Sequence, residues 1–264
     1  MKHLLVGAIA LIAMAGAASA EQMKMAVTTS FHNSGLAEVL LPEIQKDLDL
    51  EVQLLVVGTG QALKLGRAGD VDAILVHSRS SEEAFVAEGF APHRREIMYN
   101  DFVLIGPEAD PAGIAQAERA TDALRQISDA NAPFVSRGDD SGTHKKEMSL
   151  WMAAEVAPSG DWYREVGAGM GASLNTAAGM GAYILSDRAS WLNFANKADE
   201  VLLFAGDPVL FNQYAYLPVN QDKHPHVQAA LAAKLEEWLT SDRAKELING
   251  YRLADQQLFT FNAK

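Results

Sequence analysis

Apolar and polar positions along this chain fall into short blocks of two kinds. Residues 23–27 (MKMAV), 51–57 (EVQLLVV) and 71–76 (VDAILV) are apolar runs of strand length, and between and after them 35–45, 61–67 and 80–88 read as helices. Strands alternating with helices at this spacing predict βαβ units and a mostly parallel sheet. Two longer apolar segments, 97–106 (IMYNDFVLIG) and 209–219 (VLFNQYAYLPV), read as crossings between two lobes, with helices and glycine-rich turns between them. Further on, Val227, Leu231, Leu235 and Trp238 form one apolar face, and Ser241 is placed to cap a last helix ending near Gly250. The expected architecture is α/β and two-lobed, each lobe a mostly parallel sheet flanked by helices, the two joined by two crossing strands. Residues 21–102 plus 211–264 would form the first lobe and 103–210 the second, with the C-terminal tail packing back on the first.

The first 20 residues follow a different pattern. Lys2 and His3 give a basic start, 4–15 is an apolar run, and Ala18-Ser19-Ala20 has the small-residue spacing of a cleavage site. This reads as a secretory signal peptide, too short and wrongly flanked for a stable membrane span. Its removal would delete one cation and no anion, leaving 21 Lys and Arg against 34 Asp and Glu from Glu21 onward. No second long apolar run follows, and the absence of cysteine leaves nothing to acylate. The expectation is a freely soluble, monomeric periplasmic protein without a lipid anchor.

Composition narrows the classes further. With 48% hydrophobic residues in 264, the chain can bury a sizeable core and is too apolar to stay disordered. A formal charge of −12 speaks against a nucleic-acid partner, which needs clustered cations. Zero cysteines exclude disulfides, thiolate metal sites and catalytic thiols.

Three hydroxyl-rich breaks lie where a strand hands over to a helix: 28–30 (TTS), 58–61 (GTGQ) and 136–144 (SRGDDSGTH). Helix N-termini present free N–H groups and the positive end of a dipole, so they bind anions. Hydroxyl side chains add donors, and glycines let the backbone approach closely. One such break reads as an ordinary N-cap; three on successive βα units point to an anion site. The third carries Arg137, a fork of fixed donors suited to oxyanions. It follows directly on the strand expected at 132–135. Ser141, Gly142 and Thr143 then supply hydroxyl and amide donors at a helix start. Asp139 and Asp140 would cap this turn or pair with Arg137.

The segment SRGDDSGTHKKE (136–147) resembles the signature of the periplasmic tungstate-binding proteins of ABC importers. The resemblance extends over most of the chain: TTS at 28–30, VGTGQALKLG at 57–66, VHS at 76–78, RREIMYNDFVLIGP at 94–107 and GASLNTAAGMGAYILSDR at 171–188 match further segments. Val27 and Ser173 stand where that family often has threonine. The resemblance implies the two-lobed type II periplasmic-binding-protein fold closing around a tetrahedral oxyanion, tungstate or molybdate. Position by position it implies binding by Thr29, Ser30 and Thr59 on one side and Arg137, Ser141, Gly142 and Thr143 on the other, with Ser173 at a further helix start. It also implies delivery to an ABC permease of the inner membrane, with no cofactor, no bound metal cation and no enzymatic step. Phosphate or sulfate is the alternative ligand. A lining of donors alone would favour fully deprotonated anions over phosphate, which keeps a proton in need of an acceptor.

Other motifs support less. Asp139, Ser141 and His144 have the residue types of a hydrolytic triad but lie within six residues of one another, where a triad needs its histidine to arrive from elsewhere. Gly167-x-Gly169-x-x-Ala172 loosely fits a dinucleotide fingerprint, but 161–165 does not read as a buried strand, and the segment is expected to be a turn between helices. His32, His77, His93, His144, His224 and His226 are scattered without metal-ligand spacing and read as surface or capping residues.

Overall fold

The computed structural model describes residues 21–264, so the signal-peptide reading of the first 20 residues lies outside the described range. The first part runs β1 (Glu21–Thr28), α1 (Thr29–Asn33), α2 (Leu36–Leu48), β2 (Leu50–Val57), α3 (Thr59–Ala68), β3 (Ala73–Val76), α4 (Arg79–Ala87) and the long β4 (Arg95–Pro107). Next come α5 (Ala120–Asp129), β5 (Phe134–Ser136), α6 (Gly142–Ala153), β6 (Tyr163–Glu165), α7 (Met170–Met180), β7 (Tyr183–Asp187), α8 (Arg188–Asn193) and β8 (Glu200–Phe204). The chain ends with β9 (Phe211–Pro218), α9 (Ala229–Leu239), α10 (Asp242–Gly250), β10 (Arg252–Leu253), β11 (Gln256–Gln257) and β12 (Thr260–Phe261).

Local chemistry accounts for these elements. All four residues of β3 (AILV) are buried, as a strand covered on both faces requires. In α5 the buried positions are Ala120, Ala123, Leu124 and Ile127, one stripe at helical spacing. Ser241 caps α10 as its sequence position implies, accepting from the Ala244 N–H at 3.3 Å.

The ten-stranded sheet has the order β2-β1-β3-β9-β4-β7-β5-β6, with β8 and β12 also paired to β4. Pairing is parallel at both ends (β1 with β2 and β3, β5 with β6 and β7) and antiparallel in the middle. Helical crossovers build the parallel ends. The long strands β4 and β9 pass between the two halves and meet β7 and β3 antiparallel. Along β4, Arg95–Asp101 pairs with β9, and from Phe102 onward the partner is β7. The core divides at the same place: Ile97 and Met98 join the cluster of Met25, Leu75 and Leu235, whereas Phe102 and Leu104 join that of Phe134, Trp151 and Leu185. The C-terminal tail returns to the first half, where Thr260 pairs with Tyr99.

Three local expectations change. The TTS break contains a one-turn helix, α1, because Thr28 caps it by accepting from the Phe31 N–H at 3.2 Å. The second crossing starts at Phe211 rather than Val209, because Asp207 caps a short 3-10 turn over Pro208–Leu210. Residues 163–165 form a short, mostly exposed edge strand, and Gly169 is the N-cap of α7, so the Gly167–Gly169 segment links a strand to a helix rather than two helices.

Candidate functional site

The three polar breaks and the end of β3 converge at the C-terminal ends of parallel strands, where α/β sheets place ligands. On the second half, Arg137 follows β5 directly and is only 3% exposed. Gly138 (φ 59°) and Asp140 (φ 57°) both take left-handed conformations, turning the loop so that Ser141 caps α6. The Ser141 hydroxyl accepts from the His144 N–H at 3.2 Å. Arg137 Nη2 donates to one oxygen of Asp139, whose other oxygen accepts from the Ser141 N–H at 3.2 Å. Asp139 therefore both caps the turn and holds the guanidinium. Asp140 does not pair with Arg137; it is exposed and lies 3.5 Å from Lys145 Nζ. Arg137 Nε and the fully buried Thr143 Oγ1 have no partner among the described residues.

On the first half, Thr29 opens α1 and is half-buried. The buried Ser30 Oγ lies 3.1 Å from Thr28 Oγ1, 3.0 Å from His77 Nε2 and 3.4 Å from the Tyr214 hydroxyl. Thr59 opens α3, is buried, and its Oγ1 is unpartnered. The halves touch at Gly142, the first residue of α6. A Cβ there would lie 2.8 Å from the His77 ring and 3.1 Å from Thr59 Oγ1, so glycine is required for this approach. Either side of the contact is open. One opening, of about 360 Å³, is lined by Thr29, Gly60, Lys64, Arg137, Asp139 and Asp140. The other, of about 320 Å³, is lined by His77, Arg79, Lys145, Lys146, Phe211 and Asn212.

One residue joins the site that sequence reading did not place there, and a second, Asp187, is buried within the field of Arg137. His77 is no surface histidine: it is buried, its Nδ1 lacks a partner, and burial, reinforced by the Arg137 charge, lowers its pKa to about 3. The ring is therefore neutral at physiological pH. Its position just after β3 was the available signal, since it occupies the same strand-to-helix junction as Thr28–Ser30 and Thr59. Asp187 ends β7 and is fully buried. One oxygen accepts from the Ser190 N–H at 2.9 Å and the other has no partner. Burial raises its pKa, favouring the neutral acid, against the opposing pull of the Ser190 hydrogen bonds and the Arg137 charge. The opening beside the signature loop is also lined by the carboxylates Asp139 and Asp140, so the lining is not made of donors alone, as the sequence had implied.

Ser173 lies at the start of α7. It is buried, but its hydroxyl faces the Ala168 and Gly169 carbonyls, each at 3.2 Å, so its single donor is engaged within its own helix start. The triad reading also fails, because Ser141 accepts from the backbone of His144 while Asp139 faces Arg137. Among the described residues no group of three or more His, Asp or Glu is placed to hold a metal. What remains is a cradle of buried polar groups from both halves around one guanidinium, suited to holding a small anion by hydrogen bonds and charge.

Comparison with known proteins gives a consistent result. The PBP superfamily domain matches residues 15–243. The tungstate-binding protein TupA of Peptoclostridium acidaminophilum is 45% identical over 90% of this chain and 85% of that protein. Two solved structures superpose closely. The tungstate ABC transporter structure from Geobacter sulfurreducens has a TM-score of 0.82 at 49% identity, covering 88% of this chain and 99% of that one. TupA from Desulfovibrio alaskensis G20 has a TM-score of 0.81 at 43% identity, covering 93% and 100%.

Proposed function

We infer the function from one premise: this chain belongs to the PBP superfamily and, within it, to the family of the tungstate-binding proteins. It captures tungstate in the cleft and hands it to an ABC permease of the inner membrane. It acts as a soluble periplasmic monomer, without cofactor or covalent step. The observation that carries this reading is the set of buried, unpartnered polar atoms supplied by both halves: Thr59 Oγ1 and His77 Nδ1 from one, Arg137 Nε and Thr143 Oγ1 from the other. Leaving such groups unsatisfied costs about 1–3 kcal/mol each, and one tetrahedral oxyanion with four acceptor oxygens can serve several donors at once.

The lobes are 21–102 plus 211–264 and 103–210, and they close about the point where β4 passes from pairing with β9 to pairing with β7. Thr29, Ser30 and Thr59 act from the first lobe, and Arg137, Ser141, Gly142 and Thr143 from the second. Binding that needs both lobes trades ligand affinity for a change of shape that a permease can read. Molybdate, also fully deprotonated, fits the same donors. Phosphate would need an acceptor, and Asp139, the carboxylate paired with Arg137, is already engaged by that guanidinium and by the Ser141 N–H.

Calorimetry on ligand-stripped protein with tungstate, molybdate, sulfate and phosphate tests the reading. Tight tungstate binding and negligible phosphate binding are expected; effective phosphate competition at neutral pH overturns it. Tungstate at a thousandfold excess over its dissociation constant should also add about 4 kcal/mol of stability, read as a rise in melting temperature.

A further inference from the structure

The two openings of the cleft differ in charge. The one beside the signature loop is lined by Lys64 and Arg137 but also by Asp139 and Asp140, so its cations and anions balance. The opposite one is lined by Arg79, Lys145 and Lys146 with no carboxylate among its lining residues. Both halves build it: Arg79 and Ser80 come from the start of α4, Lys145, Lys146 and Ser149 from α6, and Phe211 to Gln213 from β9. His77 and Gly142, which meet at the centre of the cleft, form its inner wall.

The three cations are not equally free. Arg79 is 2.7 Å from Glu83, which counters its charge. Lys145 donates to Ser81 Oγ at 3.3 Å, bridging the two halves, and lies 3.5 Å from the exposed Asp140. Lys146 donates only to the Val209 carbonyl, at 2.9 Å, and has no carboxylate within salt-bridge range among the described residues. It is half-buried, and burial lowers its pKa.

We propose that the Lys145–Lys146 vestibule is the route by which the oxyanion reaches and leaves the inner cradle, a steering site distinct from the residues that hold it. The proposal rests on the capture reading above. A chain of formal charge −12 repels a dianion at long range, so association depends on a local field of opposite sign. A concave, cation-lined channel focuses such a field and raises association rates tenfold or more, an effect that salt screens. Charges at the rim of a site act mainly on the association rate and its salt dependence, not on dissociation.

The test is stopped-flow tungstate binding followed by tryptophan fluorescence at low and high ionic strength. It uses the unaltered protein, the double variant Lys145→Gln/Lys146→Gln, and Lys64→Gln at the other opening. The double variant should associate roughly three- to tenfold more slowly at low salt, with the difference vanishing at high salt and the dissociation rate within about twofold. Lys64→Gln should have the smaller effect. Normal equilibrium binding with an unchanged association rate, or a larger effect of Lys64→Gln, overturns the route alone. A faster dissociation rate with unchanged association would instead make the lysines part of the cradle and also overturn it. Failure of the unaltered protein to bind tungstate overturns the capture reading and the route together.

Discussion

Helices α6 and α7 begin with similar residues: Ser141-Gly142-Thr143 in one, Gly169 followed by Gly171-Ala172-Ser173 in the other. Both follow strands of the second half, and both bury a hydroxyl side chain completely. Thr143 is the second residue of its helix, so no helical carbonyl lies four residues before it and its Oγ1 is left free. Ser173 is the fourth residue of its helix and bonds back to Gly169 and Ala168. The caps differ as well, since Ser141 caps α6 with its side chain whereas Gly169 offers none. A hydroxyl at a helix start is available to a ligand only within the first turn, and a resemblance in residue type does not record that position.

The largest effect should come from the group that most separates the two helix starts, Arg137. Arg137→Ala should weaken tungstate binding by about 2–5 kcal/mol, a thirtyfold to several-thousandfold change. Because Asp139 also loses its partner, the ligand-free melting temperature should fall as well. Arg137→Lys keeps the charge but not the planar fork, and should weaken binding measurably in calorimetry. Unchanged affinity in Arg137→Ala would remove this residue from the site.

Gly142→Ala comes next. Its Cβ would press on the His77 ring and Thr59 Oγ1 only while the halves are in contact, so closure should be penalised by about 1–3 kcal/mol. Affinity should drop accordingly while the ligand-free melt stays near that of the unaltered protein; a full-affinity variant would show that closure does not need this contact.

Thr143→Val against Ser173→Ala tests the comparison directly. Removing the free hydroxyl should cost about 1.5–3 kcal/mol of binding, as for a hydrogen bond to a charged group, whereas Ser173→Ala should leave affinity unchanged. Equal losses in titrations of the two variants would mean that position in the helix is irrelevant.

The smallest effect concerns Glu147, which has no counterpart on α7. Its carboxylate accepts from the Tyr163 hydroxyl at 2.7 Å and Trp151 Nε1 at 3.1 Å, and burial raises its pKa to about 7. A pKa raised from 4.5 in the unfolded chain contributes stability that is complete below about 4.5 and lost as pH rises through about 7. Glu147→Gln should therefore gain on the order of 1 kcal/mol relative to the unaltered protein between pH 5 and pH 8. Parallel pH dependences of the two melts would show that Glu147 does not titrate in this range.

Much of this molecule was legible along the chain. The alternating strands and helices, the two crossings, the Ser241 cap and the position of Arg137 after a strand all follow from local patterns, because periodicity and capping act within one element. His77 and Asp187 were not legible as site residues. His77 follows the apolar β3, which was the one local signal, and Asp187 ends β7; only the packing of the two halves shows what each strand end faces. The role of Asp139 stayed open between capping and pairing because both partners lie within two residues of it, and only the loop's actual path allowed it to do both.

The sequence by itself determined the class of fold, the family, and a short list of donors at helix starts, since these depend on residue type and spacing. The tertiary structure decided which donors are free, that Gly142 lets the halves touch, and that no carboxylate lines one of the two openings. Those properties depend on distances between residues far apart in the chain, such as Gly142 with His77 or Lys145 with Ser81. Burial, hydrogen-bond satisfaction and local field arise only when the two halves of the sheet are brought together.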